Sequence, residues 1–123
     1  METVKAILWE KADNQAVKCN LCAHRCIIPA GGRGICTGRR NDSGTLVTDC
    51  YYDVCSAAVD PVEKKPLFHF LPGSKVMSIA APGCNFRCDF CQNWQISMPA
   101  PDSLPLGKGR TLTPQEVVRA AQS

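Results

Sequence analysis

With 123 residues, the chain is long enough for one modest domain and too short for a large enzyme. Fourteen Lys and Arg against eleven Asp and Glu leave a formal charge of +3 without a basic block, which speaks against nucleic acid as a partner. Nine cysteines are an odd number, so complete pairing within one chain is excluded.

The start, METVKAILWE, carries acids early and lacks the long apolar core of a signal peptide. No run approaches the length of a membrane span. A cysteine-rich chain of this kind is expected in a reducing cytoplasm, away from membranes, where thiols serve metals rather than disulfides. Residues 1–18 hold a short apolar segment, AILW, and a polar turn at KADNQ.

Residues 19–36 read as a loop built around ligands. Cys19, Cys22, Cys26 and Cys36 follow C-x2-C-x3-C-x9-C, enough thiols for a closed tetrahedral zinc site or for an auxiliary iron–sulfur cluster. Gly31, Gly32 and Gly34 allow the loop to fold back so that Cys36 joins the other three. His24 lies between two ligands and could substitute for one, but reads rather as a hydrogen-bond donor behind them or a plain polar loop residue. Asn41-Asp42-Ser43-Gly44 is a turn signal, and TLVT after it has strand character. Cys50 and Cys55 fit neither ligand motif and read as small buried hydrophobes.

The segment DPVEKKPLFHFLPG, residues 60–73, contains three prolines and reads as an extended connection. Its Glu63, Lys64 and Lys65 read as a solvated charge cluster, and His69, flanked by apolar residues, as a core histidine. KVMSIAA, residues 75–81, is apolar along its length and predicts a buried strand, covered on both faces as in a parallel sheet. MPAPDSLPLGKG, residues 98–109, is too rich in Pro and Gly for a regular element. Thr113-Pro114-Gln115-Glu116 supplies an N-cap, a proline at the first helical position and a capping-box Glu, so a helix is expected from there on.

Between strand and helix lies APGCNFRCDFCQNW, with Cys84, Cys88 and Cys91 spaced C-x3-C-x2-C. Cubane iron–sulfur clusters are held by thiolates, usually four. Three thiolates would leave one iron open to an exogenous ligand, as catalytic metal sites keep a position free. Gly83 permits a tight turn, and Phe86 and Phe90 are expected to shield the cluster. Zinc and inert buried thiols are the alternatives, but no cysteine or histidine follows Cys91 to complete a second zinc pair.

These residues carry a resemblance. C-x3-C-x2-C with an aromatic before the last cysteine, after a strand, resembles the radical S-adenosylmethionine superfamily. DPVEKKPLFHFLPGS followed by GCNFRCDFCQNWQIS, with CNLCAHRC and GGRGIC near the start, resembles more narrowly the radical SAM enzyme of the AmmeMemoRadiSam system, itself similar to pyruvate formate-lyase activating enzymes. The resemblance runs from about Ala6 into the last helix. It implies an α/β fold: a cysteine-rich metal-binding region and extended connection over 1–72, then, over 73–123, the first strand–loop–helix unit of a partial or full radical SAM barrel, so that the chain corresponds to the N-terminal portion of such an enzyme.

By the same resemblance Cys84, Cys88 and Cys91 would ligate a [4Fe-4S] cluster whose open iron takes S-adenosylmethionine, and Phe90 would lie near the adenine. Asn85 and Arg87 are not assigned side-chain roles. An electron donor such as flavodoxin or ferredoxin is implied, and the substrate is not. Two other classes remain: a small metal-binding module without catalysis, and an electron-transfer protein resembling a ferredoxin.

Overall fold

The computed structural model of the protein describes residues 3–104, 106 and 111–123. Eight short strands form two three-stranded antiparallel sheets and one separate two-stranded ladder, followed by two helices. The first sheet runs in the order β1 (Val4–Lys5), β6 (Thr45–Thr48), β5 (Arg39–Asp42), and the second in the order β2 (Trp9–Lys11), β3 (Val17–Cys19), β4 (Ile27–Ile28).

Turn chemistry explains two of the hairpins. Asp42 pairs with Thr45, so Ser43 and Gly44 form a two-residue connection. Both have positive φ, 51° and 91°, the geometry that matches strand twist across so short a turn. The polar turn between β2 and β3 likewise places Asn14 and Gln15 at positive φ. TLVT is thus a strand as expected. The ligand segment 19–36 is less irregular than expected: β3 ends at Cys19, β4 occupies Ile27–Ile28, and Cys22 and Cys26 lie in the hairpin between them.

The core is small. Val17, Cys19, Ile28 and Leu46 are buried together, with Ala6, Trp9 and Cys26 packed against them. Burying one such aliphatic side chain contributes roughly 1.5–3 kcal/mol. Two buried polar residues join the pieces that this core cannot. Asn41 is fully buried; its Nδ2 donates to the carbonyls of Gln15 (2.8 Å) and Ile28 (2.9 Å), while its Oδ1 accepts from the Gly44 N–H. Asp49 is also buried and accepts from Thr3 Oγ1, from Arg40 Nε at 3.0 Å, and from Arg33 Nη2 at 3.0 Å.

KVMSIAA does form a strand, β8 (Lys75–Ala80), but its partner corrects the expectation of parallel pairing. β8 runs antiparallel to β7 (Ser56–Pro61), in register from Ser56 opposite Ala80 to Pro61 opposite Lys75. This ladder joins residues on either side of position 72. Its apolar residues are not covered on both faces: Val59 is 69% and Ile79 47% exposed.

The connection over 60–73 is also more folded than an extended segment. Asp60 and Pro61 end β7, Val62–Lys64 make a 3₁₀ turn, and Glu63 Oε1 accepts the Gly73 N–H at 2.7 Å. The lysines are not merely solvated, since Lys64 and Lys65 both reach the Asp60 carboxylate, at 2.9 and 3.5 Å. His69 is exposed rather than in a core, because its neighbours Phe68, Phe70 and Leu71 are exposed as well and offer it no apolar surroundings.

After the cysteine loop comes a one-turn helix, α1 (Trp94–Ser97), which the sequence did not signal. Residues 98–109 contain a 3₁₀ turn at Pro101–Ser103; positions 105 and 107–109 lie outside the described residues. The last helix, α2 (Pro114–Gln122), starts as expected: Thr113 Oγ1 accepts the Glu116 N–H, and the Glu116 carboxylate accepts the Thr113 N–H. Among the described residues no helix is long and apolar enough to cross a membrane.

Two predictions follow from the buried acids. Replacing Asp49 with Asn removes the carboxylate that pairs Arg33 and leaves Arg40 only the more exposed Asp42, and is expected to cost about 2 kcal/mol, measured by denaturant unfolding; an unchanged midpoint would contradict this. Hydrogen bonds from Ser78 and Lys64, with the charges of Lys64 and Lys65, hold the Asp60 carboxyl down to about 2. A depressed carboxyl contributes stability that is complete above its unfolded value, about 3.9, and is lost as pH falls toward 2. The difference in thermal stability between the wild type and Asp60→Asn should therefore be constant from pH 5 to 7 and shrink between pH 4 and 2.

Candidate metal centre

All nine cysteines are free thiols. Five of the seven cysteines expected as ligands meet at one cavity of about 570 Å³: Cys19, Cys22, Cys26, Cys36 and Cys84 line it, together with Cys50. The hairpin geometry accounts for the first three. Cys19 closes β3 and its N–H donates to the Cys26 carbonyl at 2.8 Å, which holds both ends of the knuckle together. Arg25, at positive φ, turns its guanidinium back onto the carbonyls of Asn20 and Cys22.

Cys36 reaches the same place by a different route. Gly31 N–H donates to Asn41 O, Asn41 N–H donates to Gly32 O, Gly34 N–H donates to Arg39 O, and Thr37 N–H closes a turn on Gly34 O. The loop is folded back by these bonds, as the glycines suggested.

Cys84, Cys88 and Cys91 lie on the loop from β8 to α1. Gly83 N–H donates to the Ile96 carbonyl at 2.8 Å, closing the loop onto α1. Phe86 N–H points at Cys84 Sγ (3.4 Å), Cys91 N–H donates to Cys88 O, and Cys91 Sγ lies 3.4 Å from Ser97 Oγ. Cys88 is exposed and the other two are half-buried. Phe86 and Phe90 are 67% and 87% exposed, which corrects the expectation that they shield the cysteines. Phe90 instead presents an open aromatic face next to Cys91.

Among the described residues, no three His, Cys, Asp or Glu side chains converge tightly enough to hold a single metal ion. The donors are nevertheless of one soft type, concentrated in two loops, and sulfur-directed groups are already present at Cys84 and Cys91. By type, though not by convergence, they are the donors that thiolate-bound metals take.

Two residues that carried little weight in the sequence have defined roles in the geometry. Arg87 uses its guanidinium on three carbonyls, those of Cys84, Phe86 and Ile35. His24 Nε2 donates to the Asn85 carbonyl at 2.7 Å. The available signal was positional: each stands between two cysteines of its motif. Cys50 is buried as expected, and burial, reinforced by Asp53 and Asp49 and opposed by Arg33, pushes its thiol up to about 11. Cys55 is half-buried, and its thiol is also raised, mainly by burial.

No known family's sequence model matches the chain, and no solved structure matches it. The chain is similar to an uncharacterized protein of Methanocaldococcus jannaschii, 50% identical over 117 residues, a match that covers 95% of this chain and 34% of that protein. It thus spans about a third of the length of the curated relative it matches.

The different surroundings of the thiols are directly testable. In the metal-free chain at pH 8, Cys88 should alkylate first and Cys50 last, because only a thiolate attacks and Cys50 keeps its proton at that pH. Mass mapping after timed iodoacetamide treatment measures the order; early labelling of Cys50 would show that its burial is not maintained.

Proposed function

We propose that the chain carries the cluster-binding portion of a radical SAM enzyme of the AmmeMemoRadiSam kind, with Cys84, Cys88 and Cys91 as ligands of a [4Fe-4S] cluster. The observation that carries this reading is the loop itself. Three thiols lie on fourteen residues between a strand and a helical turn, closed at its base by the Gly83–Ile96 hydrogen bond, with an N–H aimed at Cys84 Sγ. When bound, such a cluster supplies one electron for cleavage of S-adenosylmethionine to a 5′-deoxyadenosyl radical, which abstracts hydrogen from a substrate.

The chain's own groups prepare the site for that chemistry. The Phe86 N–H donates to Cys84 Sγ, and the Ser97 hydroxyl can donate to Cys91. The Arg87 guanidinium fixes the loop backbone through the carbonyls of Cys84 and Phe86. Phe90 offers a flat apolar surface on which an adenine ring would stack. Cys19, Cys22, Cys26 and Cys36 hold a second metal, zinc or iron–sulfur, in a cytoplasmic protein served by a flavodoxin or ferredoxin donor.

Anaerobic reconstitution tests the reading. The chain should take up about four irons and matching sulfide at Cys84, Cys88 and Cys91, and S-adenosylmethionine should shift the electron paramagnetic resonance of the reduced form. Replacing those three cysteines with Ala should remove this iron while metal at the N-terminal set remains. Retention of the same iron by the triple variant, or a spectrum indifferent to S-adenosylmethionine, would overturn the assignment.

A further inference from the structure

The two cysteine sets are far apart in sequence, yet each is held by backbone that belongs to the other. Arg87, between Cys84 and Cys88, binds the carbonyls of Cys84 and Phe86 with Nη1 at 2.7 Å each, and with Nη2 the carbonyl of Ile35, the residue before Cys36. His24, between Cys22 and Cys26, binds the carbonyl of Asn85, the residue after Cys84. Gly83, at φ 99°, packs so closely on the Cys36 carbonyl oxygen that any Cβ there would collide with it. Three contacts of different kinds therefore cross the same seam, and each falls within two residues of a cysteine on either side.

We propose that Arg87 and His24 are positioning residues that couple the two sets, so that metal at Cys19, Cys22, Cys26 and Cys36 braces the loop carrying Cys84, Cys88 and Cys91. The inference rests on reading the N-terminal set as a metal site. Without metal, residues 19–36 rely on a few short strands and a small core, and metal binding supplies folding free energy to regions of this kind. Rigidity gained there passes to Cys36 and His24 directly, because both are part of it. From there it reaches the loop through Ile35 O, Cys36 O and the His24 ring. The brace is a single-ended one: Arg87 also closes the loop on itself, so its loss should loosen both sides of the seam, whereas loss of metal should loosen the loop only through the N-terminal side.

Hydrogen–deuterium exchange on the whole chain, loaded with one equivalent of zinc and no iron, reads this directly. In the wild type, removing the zinc should raise exchange in residues 83–91 as well as in 19–36. With zinc bound, Arg87→Gln should raise exchange about tenfold in both 33–38 and 83–91, as expected for losing hydrogen bonds from a charged donor, with zinc content unchanged. Arg87→Lys should restore part of that protection, since an ammonium reaches fewer of the three carbonyls. His24→Ala removes one contact only, and should loosen 83–91 to a smaller degree even if the Arg87 variants fold poorly. The proposal is overturned if zinc removal loosens 19–36 and leaves 83–91 unchanged, if Arg87→Gln affects 83–91 alone, or if zinc binds nowhere in 19–36. Because iron plays no part in this measurement, failure to form a cluster at Cys84, Cys88 and Cys91 would count against the radical SAM reading and leave the coupling to be decided by exchange.

Discussion

A single buried carboxylate organises the cysteine-rich half of the molecule. Asp49 accepts from Thr3 near the start of the chain, from Arg40 on β5 and from Arg33 in the loop between β4 and β5. Arg33 in turn donates to the Thr37 carbonyl at 2.9 Å, and so fixes the turn that presents Cys36. Thr48, one residue before Asp49, binds the Gly38 carbonyl from the other side. A buried charge is costly unless it is fully paired, so this arrangement is all-or-nothing: with both arginines in place it specifies one path for residues 33–38. The cavity shared by Cys19, Cys22, Cys26, Cys36 and Cys84 exists because that path is specified.

The apolar core is too small to do this alone. Four buried side chains hold the two sheets, and polar groups carry the long-range joins: Asn41 between hairpins, Asp49 between loops, Asp60 across the β7–β8 ladder through Ser78 and Lys64. A fold of this kind is specific more than it is stable. Its specificity depends on satisfied polar contacts, because hydrophobic burial is short. The β7–β8 ladder, with one strand joined to each half of the chain, brings the second cysteine loop up to the first.

Much of the local structure was legible in the residues. Asn41–Gly44 named its own hairpin, Thr113–Glu116 named its own helix start, and KVMSIAA named a strand, because each depends on propensities and hydrogen bonds within a few residues. The partner of that strand was not legible. Apolar runs occur in parallel and antiparallel ladders alike, and the prolines of residues 60–73 suggested an extended link where the chain in fact turns back and pairs. His69 was misread for a related reason: apolar neighbours in sequence imply a core only if something packs on them, and here they are exposed.

The sequence by itself determined the chemistry on offer: nine thiols, two spacings, soft ligands in loops made pliable by glycine. Spacing is a covalent property, and it constrains which cysteines can share a centre before any folding occurs. Only the tertiary structure decided that the first set and Cys84 line one cavity, that buried Cys50 lies beside them, and that Arg87 and His24 bridge the sets. The two bridges join residues 52 and 61 positions apart. A sequence does not display such contacts, because their partners are backbone carbonyls, which every residue carries.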